Sequence, residues 1–352
     1  MIITRTPYRI SFFGGGTDYP GWFRQHGGAV LATTINRYCY IHCRLLPPFF
    51  EHKSRIVWSR IESVANHSDI AHPSIRAVLQ TLQINQGVEI HHNGDLPARS
   101  GLGSSSAFTV GLLHAVHSMQ GRLVGKRELA KEAIYIEQEV LKENVGVQDQ
   151  IQTAHGGLNR IEIGRGGEFD VRPISISSER MRQLESRLLL FYTGVARNSS
   201  SIAAAQVAAI PDRETELMQL GKLVDEAIGI LSGPGELREF GRLLNEGWQI
   251  KRSLTDKIAP PFIDEIYNAA TSAGADGGKL LGAGGGGFML FFVEPSRRQA
   301  VLEALRRLLL VPFECERQGT HVVFYEPDGF SSSAIAQDHD YLRYGLGDTS
   351  GR

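Results

Sequence analysis

Pro97-Ala-Arg-Ser-Gly-Leu-Gly-Ser-Ser-Ser-Ala107 runs without a break into an apolar stretch, about Ser105 to Met119, whose pattern reads as a helix. A glycine turn at a helix start aims free N–H groups and the positive end of the helix dipole at one point, where an anion is held. An ordinary serine cap would account for one hydroxyl. Three serines exceed what a cap needs, which tips the reading toward phosphate. Two more glycine clusters stand at Gly14-Gly15-Gly16 and from Gly282 to Gly287. Together the chain has 39 glycines, about 11% against a usual ~7%. Three glycine turns beside strand or helix patterns indicate backbone that must approach something closely. Two familiar phosphate templates fail. Gly121-Arg-Leu-Val-Gly125-Lys126-Arg127 has the wrong spacing and no hydroxyl for a P-loop. Gly282-Ala-Gly284-Gly-Gly-Gly287 is followed by a strand pattern, where a dinucleotide fold needs a helix.

Outward from this loop, strand and helix signals alternate. Strands are expected at Ile2 to Phe13, Arg37 to Leu46, Val88 to His92 and Leu188 to Tyr192, with a hairpin at Leu158 to Ile163 and Glu168 to Ile174. Helices are expected at His72 to Ile84 and Lys126 to Glu143. Beyond residue 200 the pattern becomes helical, with Arg213 to Leu231, Glu236 to Leu254, and a third helix from Pro260-Pro261 to Ala273. A strand at Phe288 to Val293, a helix at Ser296 to Leu310 and a strand at Val322 to Tyr325 would close the second domain. The fold class is α/β (α+β), with a boundary near residue 185: domains at 1–185 and 186–326, then a polar tail at 327–352.

Composition narrows the function. The 352 residues are 42% hydrophobic and 21% charged, ordinary globular usage for one large domain or two smaller ones. Lysine and arginine number 37 against 38 acids. A net charge of −1 gives no general attraction to nucleic acid or membrane. Cys39, Cys43 and Cys315 lack metal spacing and read as free thiols of a reducing compartment. No leader-like start and no apolar run of the roughly 18 to 20 residues that a membrane helix needs is seen, so a cytoplasmic protein is expected.

Within Lys126 to Glu143, Leu129, Ala133, Ile136 and Val140 form one apolar stripe, widened by Ile134 and Leu141. Glu137 projects between the apolar rows. A buried carboxylate is costly unless paired or bound to a cation, so Glu137 reads as a salt-bridge partner or a metal ligand. Asp149, in Gly146-Val-Gln-Asp-Gln150, follows just past the helix; a turn or cap role is the plain reading of such an aspartate. His114 and His117 share a helix face and read as core histidines.

These residues resemble the GHMP superfamily of kinases, which includes galactokinase, homoserine kinase, mevalonate kinase and phosphomevalonate kinase. The resemblance covers about residues 3 to 326. Three motifs come in the family's order: Pro7-Tyr-Arg-Ile-Ser-Phe-Phe-Gly-Gly-Gly-Thr-Asp18-Tyr19, the serine-glycine loop, and Lys279-Leu-Leu-Gly-Ala-Gly-Gly-Gly-Gly-Phe288. Gly-Gly-Gly-Thr-Asp-Tyr-Pro, Glu137-Gln-Glu139, Gly146-Val-Gln-Asp-Gln150 and Tyr192-Thr-Gly-Val-Ala-Arg197 are similar to the D-glycero-D-manno-heptose 7-phosphate kinases. The resemblance implies a ribosomal-protein-like N-terminal domain, a ferredoxin-like C-terminal domain, and a site between them.

The resemblance implies ATP and Mg²⁺ as cofactors and a sugar phosphate as substrate. The loop of Ser100, Gly101, Leu102, Gly103, Ser104, Ser105 and Ser106 would hold the ATP phosphates. Ser105, or a neighbouring serine, and Glu137 would hold Mg²⁺. Asp149 would be the general base, and Arg9 would orient it or meet the charge developing on the transferred group. Asp18, with Gly15, Gly16 and Thr17, would bind the sugar; glycines at 15 and 16 leave room for a seven-carbon acceptor. Arg197 and Lys251 are the expected partners of a remote phosphate, with Arg24 and His26 as others. Neither a nucleic-acid nor a membrane partner is expected, and a homodimer is compatible with the sequence. Two rivals are a kinase of an unphosphorylated sugar (mannose, fucose or galactose) and a non-catalytic sugar or ATP sensor. The presence of Arg9, Ser105, Glu137 and Asp149 favours an enzyme.

Overall fold

A computed structural model describes residues 1–47, 49–98, 100–194 and 199–327. The expected tail and Arg197 therefore fall outside the described residues, apart from Pro327. The first strand, β1 (Ile2–Phe13), is an apolar and β-branched run interrupted by Pro7, which has no N–H to donate. The register against its neighbour shifts just there, between Pro7 and Tyr8. After α1 (Pro20–His26) comes β2 (Gly28–Leu45). This strand starts well before the expected Arg37. Its first half, Ala29-Val-Leu-Ala-Thr-Thr-Ile35, is paired on both edges with β1 and later strands, so it shows no polar alternation to read.

The chain continues through β3 (Ser54–Val57), β4 (Ile61–Val64), α2 (Pro73–Thr81), β5 (Val88–Gly94) and α3 (Ser104–Met119). Helix α3 is buried on nearly every side and lies across β1 and β2. Next are α4 (Lys126–Ile134), α5 (Gln148–His155), β6 (Leu158–Ile163), β7 (Phe169–Pro173) and α6 (Ser178–Arg187). The expected helix to Glu143 is corrected: after α4 the chain makes a π-helical turn over Tyr135–Val140. The wider turn shifts the side-chain phase, so Val140, expected in the apolar stripe, is exposed. Asp149, expected in a loop, sits in the first turn of α5. Helix α6 went unread because Leu184 is its one buried residue.

The second half comprises β8 (Leu188–Tyr192), α7 (Ser199–Ala209), α8 (Glu214–Ser232), α9 (Arg238–Ser253), α10 (Pro261–Ser272), β9 (Gly277–Leu280), β10 (Phe288–Phe292), α11 (Arg298–Ala304) and β11 (Leu309–Leu310). Its antiparallel sheet has the order β11-β8-β10-β9. The helix expected from Ser296 to Leu310 is shorter, because residues 309–310 pair with β8. Strands β12 (Cys315–Glu316) and β13 (His321–Tyr325) correct another expectation. They do not close the second unit but return to the first sheet, β12 beside β2 and β13 beside β1. That sheet has nine strands among the described residues: six along the path β13-β1-β2-β5-β3-β4, with β12 and β6 beside β2 and β7 beside β6. Phe12 and Phe13, at the end of β1, meet Phe240 of α9 edge-on at 5.4 and 5.1 Å and tie the halves together. No helix of the described residues is long and apolar enough to cross a membrane.

Candidate active site

The three glycine loops converge on one cleft. Gly103 caps α3 in the left-handed conformation (φ +72°), which a residue with a side chain adopts only at a cost. A Cβ at Gly103 would stand 3.1 Å from Arg9 Cγ and 3.4 Å from Asp149 Oδ2, so the bare backbone lets the loop close on that pair. Loop three packs on loop two backbone to backbone: a Cβ at Gly282 would lie 2.5 Å from Gly101 Cα. Arg9, Gly15, Gly16, Asp18, Gly101, Gly103, Ser104, Ser105, Ser106, Asp149 and Lys251 all line the cleft. Leu102 and Ser100 are buried beneath it, and Thr17 is buried with its hydroxyl on Gly14 O at 2.8 Å. Arg24 and His26 are not among its walls; they sit on α1, where His26 stacks on Trp22.

Arg9 grips Asp149 with two parallel bonds, Nε to Oδ1 and Nη2 to Oδ2, each 2.7 Å. Its remaining Nη1 donates to Gly101 O at 2.7 Å. One guanidinium therefore fixes the carboxylate and the phosphate-type loop together. Arg9 is 3% exposed and Asp149 about a quarter exposed, so the carboxylate still faces the cleft. A carboxylate has about four lone-pair directions, and Arg9 occupies two. The buried Asp18 carboxylate accepts from Gly16 N at 2.9 Å. Burial pushes its pKa up, the Gly16 N–H partly offsets this, and the charge of Asp149 adds to the rise. Gly146 leaves room for Asp18, since a Cβ there would overlap its carboxylate.

Glu137 is fully buried, turned inward by the π-helical segment. Its Oε2 accepts from Ser106 Oγ at 2.9 Å and from Gln150 Nε2 at 2.5 Å. Its Oε1 is buried with no partner among the described residues. The Thr109 hydroxyl beside it gives its own proton to Ser105 O at 3.2 Å. Burial raises Glu137 to about 7, against the pull of neighbouring hydroxyls. Of the serines offered for the metal, Ser106 is the one that meets Glu137, while Ser105 is exposed in the cleft lining. The reason is helical phase, because consecutive residues of α3 lie 100° apart. The unpartnered carboxylate oxygen beside a hydroxyl is a hard-oxygen donor set of the kind that suits a small divalent cation. Among the described residues no group of three or more His, Cys, Asp or Glu could hold a metal. His117, as expected of a core histidine, is fully buried with Nε2 2.6 Å from Glu132.

Several cleft residues were not singled out from the sequence. Lys279, quoted there only as the first letter of the third motif, lines the cleft while almost fully buried. Ser11 and Gln148 line it with Ser11 Oγ and Gln148 Oε1 unpartnered among the described residues. The one signal for Lys279 is a lysine between Gly277-Gly278 and Leu280-Leu281. Lysine is seldom buried without a reason.

Comparison with known proteins gives the family. The GHMP kinases N terminal domain matches residues 69–157 and the GHMP kinases C terminal domain matches residues 226–309. The chain is 30% identical over 319 residues to D-glycero-alpha-D-manno-heptose 7-phosphate kinase of Campylobacter jejuni, covering 87% of this chain and 93% of the relative. It is 27% identical to mevalonate kinase of Pyrococcus horikoshii, over 66% of this chain and 67% of that one. A crystal structure of a D-glycero-D-manno-heptose 1-phosphate kinase from Bacteroides thetaiotaomicron superposes with a TM-score of 0.76 at 25% identity, covering 93% of this chain and all of that one.

Proposed function

The chain belongs to the GHMP kinases, and from that membership we propose that it transfers the γ-phosphoryl group of ATP to the anomeric hydroxyl of D-glycero-D-manno-heptose 7-phosphate, giving the 1,7-bisphosphate. The single observation that carries a working kinase is the Arg9–Asp149 pair, locked by Nη1 to Gly101 at the start of α3. The heptose reading is supported by the Campylobacter relative and by two side-chain-free positions, Gly15 and Gly16, on the acceptor wall of the cleft.

The residues divide the work as follows. Backbone N–H groups of the loop from Ser100 to Ser106 bind the ATP phosphates at the positive end of α3. Asp18 and the unpartnered Ser11 and Gln148 oxygens hold sugar hydroxyls. Asp149, held in place by the two bonds from Arg9, accepts the proton of the attacking hydroxyl. Phosphoryl transfer has a loose transition state, so this base assists rather than dominates, and holding the reactants in line does most of the work. Ser106 and Glu137 are the residues that would hold Mg²⁺. Bound there, the ion supplies charge neutralisation of the ATP phosphates.

Coupled ADP release with Mg-ATP tests the acceptor across heptose 7-phosphate, free heptose, mannose, mannose 6-phosphate, galactose and fucose. The proposal expects the highest kcat/KM on heptose 7-phosphate. Turnover of a free sugar alone would leave a kinase without the 7-phosphate. Turnover of none would remove the heptose reading and leave a sensor or an acceptor outside the panel.

A further inference from the structure

Lys251 and Lys279 enter the cleft from different elements, α9 and β9, and are only 8% and 6% exposed. Each ammonium is satisfied by one backbone carbonyl. Lys251 Nζ donates to Gly282 O at 2.5 Å, and Lys279 Nζ to Phe12 O at 2.7 Å. An ammonium has three donors, so two N–H groups on each remain uncommitted to any described residue. Neither lysine forms a salt bridge with a described residue. A buried cation without a counter-charge is costly, and two cations close together beside Arg9 are costlier. Burial and the charge of Arg9 lower Lys251 to about 8, while Asp18 and Asp149 oppose the shift. Lys279 is lowered as well, by burial and then by the charge of Lys251. Packing alone would be served better by leucine or methionine. The arrangement makes sense if an anion arrives.

The backbone says where. Gly282, which holds Lys251, abuts Gly101, and Gly101 O holds Arg9 Nη1. Lys251 and Arg9 are thus tied to the loop at the start of α3 and to Asp149, while Lys279 is tied to Phe12 O on β1, the strand that carries Arg9. We propose that Lys251 and Lys279, together with Arg9, form a buried cation cluster that neutralises the phosphoryl group in transit, rather than a pocket for a phosphate at the far end of the sugar. The assignment rests on the kinase reading above. In the step, the acceptor oxygen forms its bond to the γ-phosphorus as the bond from that phosphorus to the β–γ bridging oxygen breaks. ADP leaves with that electron pair, the hydroxyl proton passes to Asp149, and both lysines stay protonated throughout.

The test uses the full chain and two variants, Lys251→Met and Lys279→Met, which keep length and remove charge. Kinetics with Mg-ATP are measured on heptose 7-phosphate and on unphosphorylated heptose, beside the melting temperature of each unliganded protein. The proposal expects kcat to fall by about 10²-fold, the usual size for losing one preorganised charge-stabilising donor. The loss should be alike on both acceptors, with acceptor KM little changed. It also expects a melting temperature that holds or rises, since an unpaired buried charge has gone. A loss seen on the phosphorylated acceptor alone and carried by KM would overturn it in favour of a remote-phosphate site. Unchanged kcat, or a fall in melting temperature that tracks the loss, would overturn it in favour of no role or a structural one. If the unaltered chain phosphorylates neither acceptor, the heptose reading itself fails, an outcome distinct from all of these.

Discussion

Asp149 carries the sharpest residue-scale expectation. Asp149→Asn keeps the shape but leaves Arg9 facing an amide and removes the proton acceptor. Turnover should drop by roughly 10²- to 10⁴-fold, the range for general acid–base groups, while ATP affinity by calorimetry stays nearly intact. Undiminished turnover would show that another group takes the proton. Lys251 sets a pH expectation. Its charged form is needed and burial lowers its pKa to about 8, so above about pH 8 its loss of charge should add to any decline of kcat/KM set by the neighbouring Lys279, which is lowered too. Unfolding is not the cause. The folded value lies below the ordinary 10.5, so between the two the unfolded chain binds more protons and stability rises with pH. A profile flat from pH 7 to 10, or one that Lys251→Met leaves unaltered, would contradict this. At this scale the sequence was informative where cost is high. A glutamate between apolar rows marked Glu137 before any coordinates, and it is fully buried. Which serine bonds Glu137 was not legible, because three consecutive serines differ only in helical phase.

At the scale of elements, the glycine turns matter as spacing devices. Gly103→Ala should show it. The left-handed backbone costs about 1–2 kcal/mol, and the added methyl presses on Arg9 and Asp149. Turnover should fall by roughly 10- to 100-fold, more than the change in thermal stability explains, because small misplacements of reacting groups are costly. Gly125→Ala, at φ −75° with nothing within 4 Å of the new methyl, should leave initial rates and melting temperature unchanged. Equal behaviour of the two variants would mean that the loop is not held against the Arg9–Asp149 pair. Helices with a clean apolar period, such as α8 and α9, were readable to within a few residues. The π-helical turn was not, since it uses ordinary helix formers and reveals itself only in which side chains turn inward. Strand β9 hid behind two glycines whose absent side chains admit Phe291 and the α9 backbone.

Across the whole molecule, the two sheets are joined by a chain that crosses to the second and comes back. Local patterning gave the strand at His321–Tyr325 but not its partner β1, because pairing across more than 300 residues leaves no trace in local period. The cleft shares that non-local character: β1, α3, α5, α9 and the third glycine loop each supply part of it. The family resemblance made this legible where residue patterns could not. Its consequence is a chemical outcome at one atom, and ³¹P NMR of the products from Mg-ATP and heptose 7-phosphate reads it directly. The account predicts ADP and a sugar with two phosphate signals, the new one coupled to the anomeric proton. A new phosphate on any other carbon, or heptose 7-phosphate recovered unchanged beside intact ATP, would contradict it.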